Sequence, residues 1–121
     1  SACFKSFENT LLVTWDPKSE SEEMKKNFVK DSQLEVADVE RLEILGINAD
    51  DPKWTSFMNW SATEEEHREL GVRLCSLIEE RVQEFNAGSK KDHLIKAVIL
   101  TASLSSMSVY VRNNLSMPVF D

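Results

Sequence analysis

Residues 90–112, KKDHLIKAVILTASLSSMSVYVR, contain the most apolar run of the chain. Leu94, Ile95, Val98, Ile99, Leu104, Met107 and Val111 fall on more than one side of a helix drawn through the segment. A helix that is apolar on most of its surface is normally surrounded by other elements. Ser89 with Asp92 three positions later reads as its start, and Asn113-Asn114 as its end. The segment is therefore predicted as a long central helix. Its Ala97, Ala102, Ser103, Ser105, Ser106 and Ser108 are small enough to let neighbouring helices approach closely.

Other helical patterns extend outward from this one. Leu70, Leu74, Leu77, Ile78, Val82 and Phe85 form the cleanest amphipathic stripe, over residues 64–85. Thr63 followed by Glu66 is a capping box at its start. Asp16-Pro17 opens a charged helix over 17–30, with Met24 and Phe28 as its buried contacts. Val39, Leu42 and Leu45 recur at three-residue spacing and predict a helix over 37–45. Gly46 then takes the left-handed position after that helix. Asp50-Asp51-Pro52 starts a short aromatic piece over 52–60. At the N-terminus, Phe4, Phe7, Leu11 and Trp15 have helical spacing, although residues 12–15 also suit a strand. The expectation is an all-α fold: an irregular bundle of five or six helices in one domain spanning 1–121, with helix 90–112 central.

The chain has 121 residues, 41% of them hydrophobic and 29% charged, as in globular domains. Its three glycines leave no glycine-rich phosphate loop. With 14 basic and 21 acidic residues the net charge is −7, which argues against nucleic acid or an anionic membrane surface as partner. Most of that charge lies in residues 31–51, where seven acids face Arg41 alone. Two cysteines 72 positions apart, Cys3 and Cys75, suit reduced thiols and a cytoplasmic setting better than a disulfide framework.

Catalytic patterns are missing from the sequence. His67 and His93 belong to no metal-ligand spacing, and no Gly-x-Ser-x-Gly elbow occurs. Glu64, Glu65 and Glu66 beside His67 suit the first turn of a helix, where the dipole favours acids. No catalytic residue, metal or cofactor is assigned.

The pattern that remains is recognition. Acidic residues Glu35, Asp38, Glu40, Glu43, Asp50 and Asp51 precede an aromatic segment holding Trp54, Phe57, Met58 and Trp60. Charge speeds the capture of a basic surface, and a buried aromatic anchor prolongs it. The expected function is a small, acidic, non-enzymatic protein of inhibitor or immunity type. It would occlude a basic partner such as a nuclease toxin, with Trp54 or Trp60 at the centre. One alternative is a structural or regulatory subunit of a larger assembly, or a homodimer joined along the Ser-rich helix. The other is a small helical enzyme with an unannounced carboxylate site.

Overall fold

A computed structural model describes residues 10–31, 43–88 and 94–120. They form a four-stranded parallel β-sheet combined with helices, not an all-α bundle. Strands β1 (Thr10–Trp15), β2 (Glu43–Ile47), β3 (Ala97–Leu100) and β4 (Val119–Phe120) lie in the order β2-β1-β3-β4. The helices are α1 (Glu22–Asp31), α2 (Thr55–Met58), α3 (Glu64–Gly88) and α4 (Ser108–Asn114). Short 3-10 helices cover Pro17–Glu20, Pro52–Trp54 and Ala102–Met107.

The main correction falls on the expected central helix. Residues 97–100 are instead strand β3, and α4 begins only at Ser108. A strand in a parallel sheet is covered on both faces, so it reads as a continuous apolar run without alternation. Periodicity cannot separate such a run from buried helix. β-Branched Val98 and Ile99 favour the strand, and the sheet supplies their partners: Val98 lies opposite Leu11, and Ile99 opposite Leu12. The same reasoning applies to β1, where the Leu11-Leu12-Val13 run is fully extended, resolving the helix-or-strand choice for residues 10–15. The expected helix over 37–45 is corrected as well. Residues 43–47 are β2, and Gly46 lies within that strand. Residues 37–42 and 90–93 lie outside the described set, as do Phe4, Phe7 and His93.

Successive strand residues point to opposite faces. Leu11, Val13, Leu45, Ile47, Val98 and Leu100 enter the main core with Leu70, Leu74, Ile78 and Val82 of α3. Leu12, Ile44 and Ile99 share a row on the other face, in register across three strands. On that face Leu12 and Ile44 line a pocket together with Ser19 and Met24. Met24, expected to be buried, is largely exposed.

Helix α3 forms as its sequence predicts. The Thr63 N–H donates to Glu66 Oε1 at 3.2 Å, and the Glu66 N–H donates to Thr63 Oγ1 at 3.1 Å. Two orphan donors of the first turn are thereby satisfied. Helix α4 packs on α3 at Gly71, where an added Cβ would stand 2.5 Å from the Tyr110 Cβ. No helix among the described residues is long and apolar enough to cross a membrane.

Candidate functional site at the carboxyl end of the sheet

Strand β1 is the first strand in sequence but lies inside the sheet, between β2 and β3. The chain therefore leaves β1 towards β2 on one side, and β3 continues the sheet on the other. In open α/β sheets such a switch point opens a crevice outside the carboxyl ends of the strands. The hydrogen bonds record the opening. On the β2 side the ladder runs through Trp15 opposite Ile47 and on to the Asp16 N–H, which donates to Ile47 O at 2.7 Å. On the β3 side it stops two residues earlier. There the Thr101 N–H and hydroxyl both donate to Val13 O, at 3.0 and 2.9 Å.

Beyond that point one side-chain bond spans the gap. The Trp15 indole Nε1–H donates to Ser103 Oγ at 2.9 Å, between residues 88 positions apart. Asp16 turns the chain sharply away with φ 76°. Its carboxylate accepts from the Lys18 N–H at 2.9 Å, capping the following 3-10 helix. Gly46 allows this turn, because a Cβ there would run into the Asp16 carbonyl.

An aromatic cluster packs beside this end of the sheet. Trp54 is 2% exposed and meets Trp15 edge to face, with centroids 5.7 Å apart and planes at 82°. Phe57 lies 5.9 Å from Trp15, and His67 sets its ring against Phe57 at 5.3 Å. These contacts hold the Trp15 indole in place. Beyond them Met58 is exposed, and Trp60 is 89% exposed. Phe57, Met58, Trp60 and Ser103 line a cavity of about 90 Å³.

Trp60 owes its display to the end of α2. The Ser61 N–H donates to Ser56 O at 2.8 Å, and the Trp60 N–H donates to Phe57 O at 3.1 Å. This pair of bonds is a Schellman motif, which places Trp60 at C′ in the left-handed region with φ 58°. Glycine normally takes that position, and an L-residue there costs roughly 1–2 kcal/mol. A bulky aromatic in that conformation, with its ring almost wholly in solvent, directs attention to function.

Of the residues expected to bind a partner, Glu43, Asp50, Asp51, Trp54 and Trp60 are among the described residues. Glu35, Asp38 and Glu40 lie outside the described residues. Glu43 opens β2, with its carboxylate 3.6 Å from Arg81 Nη1. Asp51 spends its carboxylate on the Lys53 N–H at 3.0 Å, and Asp50 is exposed. Trp54 is buried under Trp15, so of the two expected anchors only Trp60 is on the surface. Trp15 and Ser103 were missed as site residues. The signal for Ser103 is a short apolar run ending in small residues, Thr101-Ala102-Ser103, where a parallel strand gives way to a 3-10 helix.

The other reactive groups lie elsewhere. Burial pushes the Cys75 thiol up, the Glu79 charge adds to this, and the thiol lies 3.6 Å from Val111 O. No group of three or more potential metal-binding side chains occurs among the described residues. Comparisons with known protein families, curated proteins and solved structures found no match to this chain.

Proposed function

We propose that this chain binds a small organic molecule in the cavity that Phe57, Met58, Trp60 and Ser103 line, beside the carboxyl ends of β1 and β3. The observation that carries the reading is the cavity beside the switch point, lined by Phe57, Met58, Ser103 and the strained, exposed Trp60. Ligand sites favour such crevices, with mostly apolar linings and a few placed polar groups. The four lining side chains offer aromatic faces, a thioether and one hydroxyl, and none is charged. That set suits holding a neutral molecule rather than moving its protons. The free, buried Cys75 thiol fits a reducing, cytoplasmic setting.

The test is a screen of small aromatic fragments followed by backbone and indole N–H chemical shifts. Binding should move signals of residues 57–61 and 101–103 together with the Trp15 indole. Shifts that avoid all of these would remove the proposal.

A second reading, capture of a basic protein partner, is favoured by the exposure of Met58 and Trp60, seven to ten positions after Asp50 and Asp51. It expects a stoichiometric basic protein on the immobilised chain, released progressively by salt and lost in Trp60→Ala. Retention of the same protein by Trp60→Ala would exclude this face as its dock.

A further inference from the structure

We infer that the molecule held in this crevice is a flat unsaturated ring that presents a hydrogen-bond acceptor to the Ser103 hydroxyl. The inference rests on the small-molecule reading above and specifies its chemistry.

The argument begins with hydrogen-bond capacity. A serine hydroxyl has one O–H donor and two acceptor lone pairs, whereas an indole N–H only donates. The Trp15 indole therefore occupies an acceptor position of Ser103, at 2.9 Å. Among the described residues no group takes the hydroxyl proton, which remains to be given. Accepting from an N–H also polarises a hydroxyl and strengthens its own donation. Since Ser103 lines the cavity, its O–H is the polar group a ligand meets there. A ligand acceptor at that point takes up the O–H, whereas a ligand with only donors can reach the one remaining lone pair but leaves the O–H without a ligand partner.

The walls select the remainder of the molecule. Phe57 and Trp60 present aromatic rings, and Met58 a polarisable sulfur that packs well on ring edges. The cavity of about 90 Å³ is smaller than the roughly 150 Å³ that encloses a benzene, so a bound ring stands partly outside, against Trp60. Among the described residues the lining contains no cation to attract a carboxylate or phosphate, and the chain's net charge of −7 repels them. Among the same residues it contains no carboxylate to hold an ammonium group.

Benzene and pyridine form a suitable probe pair, since they differ by one ring acceptor. Each is titrated into the full chain at slightly alkaline pH, where pyridine is uncharged, and affinities are read from chemical shifts. Both are expected to move the crevice signals. Ser103→Ala is expected to weaken pyridine about fivefold, the worth of one ordinary hydrogen bond, while benzene changes less than twofold. Ser103→Thr, which keeps a hydroxyl, should keep the pyridine affinity. If Ser103→Ala fails to fold, Ser103→Cys, close in shape and a much weaker donor, carries the same comparison. Crevice binding of both probes with no selective loss of pyridine would overturn the acceptor assignment and leave the site standing. Failure of both probes to move the crevice signals would overturn the site and the assignment together.

Discussion

Trp60 combines a local cost with a conspicuous surface position. Its backbone occupies the C′ position of a Schellman motif at φ 58°, and its ring makes little use of the core. Glycine adopts this conformation without the Cβ clash, although it loses more entropy on folding. Trp60→Gly is therefore expected to raise the unfolding free energy by about 0.5–1 kcal/mol, measured by urea denaturation. The same change should abolish fragment binding at the crevice. A variant both less stable and still able to bind would show that the indole is there for packing. Ser103 is the complementary residue: Trp15 engages one acceptor position of its hydroxyl, and the proposed ligand takes the O–H.

Among the elements, α3 does most to organise the molecule. Its stripe of Leu70, Leu74, Cys75, Ile78 and Val82 covers one sheet face. Its start rests on the capping box, and the consequence is a pH dependence. The Thr63 backbone N–H, then the Ser56 and Thr63 hydroxyls, hold the Glu66 carboxyl below its ordinary value. A lowered folded-state value means that the charged cap stabilises the fold above the ordinary glutamate range. That contribution is lost as pH falls through the lowered value. Thermal melts should therefore separate wild type from Glu66→Gln at neutral pH and bring them together in acid. A gap that persisted unchanged into acid would disprove the role of the charge. The α3–α4 contact makes a second prediction. Gly71→Ala drives a methyl group onto the Tyr110 Cβ, an atom fixed to the α4 backbone. Its expected cost is about 1–3 kcal/mol, read from the denaturation midpoint.

For the molecule as a whole, the sheet edges matter, because unpaired strand edges invite pairing with other chains. Helical arginines occupy a carbonyl on each outer strand. Arg81 of α3 donates to Ile44 O at 3.0 Å, and Arg112 of α4 donates to Val119 O at 3.1 Å. Arg81 also pairs with Glu20 at 2.8 Å, and Glu20 accepts from the Gly46 N–H at 2.9 Å. Partial burial disfavours the Arg81 charge, but the hydrogen bond to Glu20 and the fields of Glu20, Glu43 and Glu84 outweigh it. The guanidinium is held above its usual value. Arg81→Met should cost about 1–3 kcal/mol and increase self-association, followed by light scattering. A destabilised variant that stayed monomeric at high concentration would mean that Arg81 ties elements together without guarding the edge.

The sequence by itself determined what depends on near neighbours. The capping box at Thr63 and the stripe of α3 were legible because a helix makes its hydrogen bonds and its face within a few residues. The caps at Asp16 and Asp51, each followed by proline, were legible for the same reason, although each opens a 3-10 helix. The sheet was not legible. β1, β2 and β3 find their hydrogen-bond partners in distant segments, and cover on both faces removes the alternation that marks a strand. The crevice was hidden for a further reason. Trp15 and Ser103 acquire meaning only when parallel pairing brings the ends of β1 and β3 together across 88 positions. Local sequence thus determined the helix and its caps, while the choice of strand partners, made by burial and long-range pairing, decided the fold and assembled the site.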